Sequence, residues 1–385
     1  MFATVPLLFA VLEHCNISQA RWTGKCNDDG DCSHNGVCGK EGTCHCLPQW
    51  QGKACDQLNL LPMDKSRPLG YRGANASTGA KITSWGGSVL HGDDGLWHLY
   101  AAEIAGECGM NVWLSNSQVI HATSVDPTIQ PFERRGVVAP VFAHEPIAAR
   151  APTGEYVLWY TAVLPPGKLP VEGGQFCAGC DSGNSLAHCG TDANRNSSIN
   201  LPTYMVHSTS PYGPWSMPQM VPGTDVFADS NFAPVINADG SLVALARNNV
   251  YRAADWRNVS SYDVIATWDD EGEDPFVWLD KKGIYHNIVH VRRANTVGRH
   301  YWSDDGGSSW TKSEGDTYTH VVRFTDGSTL EYGCRERPHI VLDREGVVTA
   351  LTNGAAEQTC HSDTKPVVDY SYTLLQAVGA ESAVR

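Results

Sequence analysis

Two stretches of the 385-residue chain start an apolar run with carboxylates beside a proline. Residues 271–286, EGEDPFVWLDKKGIYH, set Glu273 and Asp274 ahead of Pro275; residues 335–354, RERPHIVLDREGVVTALTNG, set Glu336 and Arg337 ahead of Pro338. A third, His144-Glu145-Pro146, has the same outline, and Asp229 stands near the start of another run. Carboxyl groups gathered in one pocket can divide acid–base work. One, kept protonated by burial or like charge, donates a proton, and the other stays ionised to activate water or attack carbon. Glu273, Glu145, Glu336, Asp229 and Asp274 are the candidates. For any single acid the structural alternative is a cap on backbone amides or an ion pair with Arg335 or Arg337.

Those acids converge only if the segments carrying them do. From about residue 80 the chain reads as runs of Val, Ile, Tyr and Trp between Gly, Asp and Pro turns, and no helical period survives. Laid beneath one another, residues 87–104, 145–163, 233–249, 274–290 and 337–354 each read strand, turn with Gly, strand. Three related corners follow, at 121–132, 207–215 and 301–310. Units too small to bury both faces are satisfied by stacking radially. The expectation is an all-β, five-bladed propeller over 80–385, with its last strand at 369–378. A strand from the 59–79 linker closes the ring and removes an open edge. A β-sandwich is the rival arrangement. Inner propeller strands line the axis, so acids at blade starts from different repeats can meet there.

Blade starts of the form acid-x-Pro-x-hydrophobic, with a Gly-Pro-Trp corner (213–215), resemble family-43 glycoside hydrolases and their five-bladed relatives. The resemblance spans about 80–378 and rests on short motifs. It implies a general acid at Glu273, in Glu-Asp-Pro at the fourth blade, and a pKa-modulating position at Asn231, with Asp229 beside it. The family's first-blade base has no counterpart in TSWGGSV (83–89), so a base must come from Glu145, Glu336 or Asp274. The resemblance requires no cofactor. It also implies a calcium-type ion in the channel, with His339 as a ligand candidate. A further stretch, Ser303-Asp304-Asp305-Gly306-Gly307-Ser308-Ser309-Trp310, is similar to the Asp box of sialidases, a structural turn. Sugar rings pack on flat apolar faces while polar groups fix their hydroxyls. Trp85, Trp278, Asn231, His144 and Arg337 are the candidates for substrate binding. Core packing between blades is the alternative role for the two tryptophans.

Six cysteines, Cys26, Cys32, Cys38, Cys44, Cys46 and Cys55, crowd the segment 21–58, which is too short to build a core without staples. Sequence alone leaves fifteen pairings open. Their spacing, with the Trp50-Gln51-Gly52 turn, resembles an epidermal-growth-factor-like module, which implies Cys26–Cys38, Cys32–Cys44 and Cys46–Cys55. Zinc ligation is the rival, and it needs reduced thiolates. Such modules also serve as contact surfaces, so a protein partner is expected there. Cys334–Cys360 is expected across the fifth blade. Cys108 is expected to pair with a cysteine of the 165–202 insertion (Cys177, Cys180, Cys189).

The cysteine density, an apolar run at 3–12 and small residues before Ala20 point to a leader cleaved after Ala20 and a secreted or cell-surface protein. A buried strand is the other reading of the apolar run. Asn75, Asn196 and Asn258 open N-x-S sequons, expected to be glycosylated on that route. A net charge of −14 argues against nucleic acid and anionic membranes as partners, and no later segment reaches the ~18 apolar residues of a membrane span. Two functions follow. The first is a secreted glycosidase acting on an extracellular or cell-wall oligo- or polysaccharide. The second is a non-catalytic glycan-binding or adhesion protein on the same scaffold.

Overall fold

The structure, a computed structural model, describes residues 13–20, 22–75, 77–162, 179–180, 201–225, 231–247, 249–268, 272–291, 297–357 and 370–379. Five antiparallel sheets form the blades of a propeller. Blade one is Ser84–His91, Trp97–Ile104, Ser117–Ser124 and Glu133–Ala139. Blade two is Ala143–Arg150, Tyr156–Ala162, Thr203–Ser208 and Gln219–Met220. Blade three is Ala233–Ile236, Leu242–Ala246, Asn249–Ala253 and Asp263–Thr267. Blade four is Gly272–Leu279, Tyr285–Val291, Gly298–Ser303 and Ser309–Asp316. Blade five is Cys334–Leu342, Val348–Ala356 and Tyr372–Ala377, completed by Gly70–Tyr71 from the other end of the chain. The first strand of each blade touches the first strands of its neighbours, so these five surround the axis.

The repeated sequence outline has a repeated backbone cause. In blades one, two, four and five the inner strand breaks register at the same place, between Trp85 and Ser88, His144 and Ile147, Glu273 and Phe276, and Glu336 and His339. Each break is a bulge whose first residue has a left-handed φ: Gly86 at 59°, Glu145 at 56°, Asp274 at 53° and Arg337 at 50°. Asn231, just ahead of the third inner strand, has φ 43°. Pro146, Pro275 and Pro338 follow, and each locks the next φ near −65°. The prolines therefore mark where the strand is re-aimed. Left-handed φ at a non-glycine residue costs about 1–3 kcal/mol and clusters where a site holds its side chains in place.

Elsewhere the turns carry their own chemistry. Asp280 Oδ1 accepts from the backbone N–H groups of Lys282 and Ile284, while Gly283 supplies φ 83°. In the Asp-box turn, Asp305 Oδ1 accepts from the N–H groups of Ser308 and Ser309, and the Trp310 side chain is fully buried. The stretch is a structural turn.

Two histidine ladders repeat across the ring. In blade one, His121 Nε2 meets His98 Nδ1 at 2.9 Å, and His98 Nε2 meets Asp94 at 3.0 Å. In blade four, His300 Nε2 meets His286 Nδ1 at 2.9 Å, and Asp280 stands 3.6 Å from His286 Nε2. All four imidazoles are buried, and burial first of all holds each below its ordinary pKa, His121 at about 4.

The cysteine-rich segment is wedged into the ring. Trp50 packs on His300 with ring centroids 5.2 Å apart, and buried Asp56 accepts the Gly315 N–H at 2.6 Å. Leu58 N–H reaches Thr317 O, and Leu61 N–H reaches Ala377 O. The module thus sits on blade four and its exit strand runs along blade five. Its bridges are Cys26–Cys38, Cys32–Cys44 and Cys46–Cys55, the pairing the resemblance implies. Cys108 pairs with Cys180. Cys334 is also disulfide-bonded. Its expected partner Cys360 lies outside the described residues, as do Asn196 and Asp229. Of the segment assigned to a leader, Glu13–His14 and Asn16–Gln19 pair in parallel with the outer strands of blades three and four, and Cys15 between them is a buried free thiol. Mass mapping of the non-reduced protein should return these four bridges plus Cys334–Cys360. A free thiol at Cys108 or Cys180, or zinc in the module, would refute the arrangement.

Candidate active site

The four bulges and Asn231, ahead of the third inner strand, gather at one end of the axis. Gly86, Glu145, Asn231, Asp274 and Arg337 are the repeat-equivalent positions, and the centre of the group is Arg337. Its Nη1 donates to Asp274 Oδ1 at 2.9 Å and to Asn231 Oδ1 at 3.4 Å, and it forms an ion pair with Glu145 Oε1. Guanidinium and both acids are at least nine-tenths buried. Two carboxylate oxygens on one nitrogen cannot be more than roughly 6 Å apart, twice a hydrogen-bond length.

Next in the chain of charges is His290, from the second strand of blade four. Its Nδ1 stands 3.1 Å from Asp274 Oδ2, an ion-pair contact not aligned as a hydrogen bond, and its Nε2 lies 3.7 Å from Glu273 Oε2. Glu273 is paired on its other side with Arg247 at 2.5 Å. Of these acids Glu273 is the most exposed, with 21% of its side chain open, so it marks the mouth of the site. Glu336 is buried one residue before Arg337.

The electrostatics follow from burial against pairing. Burial alone would raise the pKa of Asp274, but Arg337 first, and then His290 and His339, hold it far below the carboxylate range. For His290 burial disfavours charge; the carboxylates of Asp274, Glu336 and Glu273 outweigh it and lift its pKa. His144 and His339 are instead pushed down to about 3, by burial and then by the Arg337 charge. His144 Nδ1 is hydrogen-bonded to Ser117 Oγ at 2.6 Å, beside Trp113.

Arg337 also accounts for the missing first-blade acid. A Cβ at Gly86 would lie 3.1 Å from Arg337 Cβ and 3.2 Å from its Cδ. The arginine stem fills the place where a first-blade side chain would stand, and φ 59° suits glycine there.

Among the residues expected to act together, Glu145, Asp274, Glu273, Asn231 and Arg337 are brought into one cluster, with Glu336 and His144 at its border. Neither tryptophan joins it. Trp85 is buried flat on Gly354, where a Cβ would come within 2.4 Å of its ring, so it is packing between blades one and five. Trp278 sits at the far end of its strand, stacked on His286 at 5.1 Å and 12°. Four residues beyond Asp274, it is carried out of reach by the strand rise of ~3.3 Å per residue.

His339 is buried against the Phe276 ring and beside the Gly87 backbone, and among the described residues neither of its ring nitrogens makes a well-aligned hydrogen bond. Such a nitrogen is a potential ligand atom. Calcium, however, takes six to eight oxygens, and the nearby carboxylates are engaged by Arg337. Among the described residues the only trio of metal-ligating side chains with donors within 4.8 Å is Cys26, Cys32 and Cys38, which are bridged sulfurs. Among the described residues, no oxygen-rich set of the kind calcium needs is assembled at His339. His290 and Arg247 are the members that the blade-start pattern misses, because they lie on second strands or the turns after them. Their only sequence signal is position opposite an inner-strand acid, as Glu273 pairs with His290 in register.

No family model matches the chain, and no curated protein matches it in sequence. Solved structures do match in fold. Zg3597, a family 117 glycoside hydrolase from the marine bacterium Zobellia galactanivorans, superposes with a TM-score of 0.52. That match covers 86% of this chain and 92% of that one at 13% identity. The catalytic domain of the Coprinopsis cinerea GH62 α-L-arabinofuranosidase gives 0.51, covering 81% and 95% at 12% identity. The class this defines is the five-bladed propeller on which glycan-acting hydrolases are built. The likeness is one of architecture.

Proposed function

We propose that this chain is a secreted or cell-surface glycoside hydrolase whose substrate, an extracellular or cell-wall glycan, enters at the carboxylate end of the axis. The observation that carries the reading is the convergence of Glu145, Asp274 and Glu273 from blades two and four on one buried cluster, on strained backbone repeated around the ring. Glu273, at the mouth, is the group a substrate oxygen meets. His290 Nε2, whose ring is held charged by Asp274, stands beside Glu273 as its proton reserve. Glu145, paired with Arg337, serves as the base for water. Carboxyl separations of ~5–9.5 Å cover both stereochemical outcomes. Burial of the cluster excludes bulk water and strengthens each of these charges.

Glu273→Gln keeps the shape but removes the carboxylate that would take the proton from His290 and pass it to the leaving oxygen. Turnover of a hydrolysed glycan should fall about 10²–10⁴-fold with affinity little changed. A second reading, non-catalytic glycan binding, is favoured by one observation: Gly86 replaces an acid, and the Arg337 charge already satisfies two of the carboxylates. Wild-type protein that retains glycans on an array yet hydrolyses none of them, with retention unaltered by Glu273→Gln, would establish that reading instead.

A further inference from the structure

Blade one carries an excursion at the carboxylate end of the axis. Its second strand ends at Ile104, whose N–H donates to Thr83 O just ahead of the inner strand. Its third strand begins at Ser117, which pairs with Ile104 in register. Between them the chain coils through three short turns, Ala105–Glu107, Met110–Val112 and Trp113–Asn116. Val112, Leu114, Ser115 and Asn116 are buried there. Trp113, in their midst, is only half-buried, so part of its ring stays open.

The indole is held in place on the site's side. It lies against the His144 imidazole, with ring centroids 4.8 Å apart and planes at 36°. His144 is fixed in turn by Ser117, whose Oγ is 2.6 Å from its Nδ1, and the residue after it is Glu145. The excursion has its own ties. Cys108 is bridged to Cys180, Asn111 Nδ2 donates to Cys180 O at 2.6 Å, and Ser115 Oγ donates to Val112 O at 3.2 Å. A ring held this way loses little freedom when a ligand covers it. Trp85 and Trp278 offer no such ring, since one packs between blades and the other on His286.

We propose that Trp113 is the platform on which a sugar ring of the glycan stacks, on the Glu145 side of the site. The inference rests on the glycan reading of that site and holds for hydrolysis and for binding alone. The C–H face of a sugar ring is apolar enough to cover an indole while its hydroxyls stay free for polar groups. That contact is made alike in the ground state and in the transition state, so it adds affinity and little turnover. A purely structural indole acts differently. Its loss would unseat His144, and Glu145 with it, and would lower turnover or stability instead.

The test begins with an array of xylan-, cellulose- and galactan-derived oligosaccharides, and the one the wild type retains best is then titrated free in solution. Calorimetry should give a Kd about tenfold weaker for Trp113→Ala, with most of the loss recovered in Trp113→Phe. Where the glycan is hydrolysed, KM should rise by the same factor with kcat little changed. In protein labelled with fluorotryptophan, the fluorine resonance that Trp113→Phe deletes should move when the glycan is added. A wild type that retains a glycan while the Trp113→Ala Kd is unchanged, or while that resonance stays still, overturns the platform and leaves the glycan reading standing. So does a fall in kcat with KM unchanged. A wild type that retains no glycan overturns the reading and the platform together. Should the thermal midpoint of Trp113→Ala show that it fails to fold, the fluorine resonance decides alone.

Discussion

Arg337→Met should destabilise the protein by about 3–5 kcal/mol at pH 7, the cost of leaving buried charges without their partner. The loss should shrink as the pH falls, and the sign can be worked from Asp274. In the wild type its folded pKa is depressed, so its contribution to stability is present above the unfolded value and is lost only as pH falls through the lower, folded one. Without Arg337 the largest remaining influence is burial, which acts in the opposite direction. Asp274 then becomes a group that prefers the proton, and acid relieves it. Urea denaturation at pH 8 and pH 6.5, above the acid window of the histidines, checks this: the gap between variant and wild type should narrow at the lower pH. An equal gap at both values would mean that the guanidinium acts through its packed stem against Gly86 and not through its charge.

The intact protein should unfold cooperatively in mild acid, between about pH 6.5 and 5, before most of its carboxylates titrate. His98, His121, His286 and His300 of the two ladders, with His144 and His339 near the axis, all have folded pKa values below the ordinary one. The unfolded chain therefore binds more protons than the native one across that window, and stability falls as pH drops through it. Each such group contributes up to ~1.4 kcal/mol per pH unit. Several acting together can remove the 5–15 kcal/mol of a typical domain. His290 acts the other way: its raised pKa adds stability below the unfolded value that is lost as pH rises through the folded one. Asp94, held at about 2, matters only in stronger acid. Fluorescence-detected denaturation from pH 7 to 4 should show steep loss, and His121→Gln should reduce the slope. A flat profile down to pH 5 would sink the account.

Much of this was readable in the chain. Proline after a charged residue, followed by an apolar run, located the inner strands of blades two, four and five, because the residue ahead of that proline forms the bulge that turns a side chain inward. The module's bridges were readable from spacing once the resemblance was made. The tryptophans were not. Trp85 is one residue from the bulge glycine, and a one-residue step on a strand reverses the face, putting the indole between blades instead of in the channel. Trp278 shares its strand with Asp274, but strand length separates the two ends of an axis in a way that a list of blade residues does not record. Arg247 and His290 were hidden because their partners are distant in sequence, and charge pairing across 26 residues leaves no local pattern. The absent first-blade acid could be seen. That an arginine from blade five fills its place could not.

Gly70–Tyr71 and Tyr372–Ala377 lie side by side in one sheet, although three hundred residues of chain lie between them. During synthesis the early strand leaves the ribosome with nothing to pair with, and its partner follows three hundred residues later. Blades one to four can assemble in order as they emerge. The fifth, with the exit strand of the disulfide wedge along it, waits for Tyr372–Ala377. A chain stopped short of residue 370 would therefore leave Gly70–Tyr71 unpaired and blade five open at once. Closure of the ring thus couples an early segment to a late one in a single step.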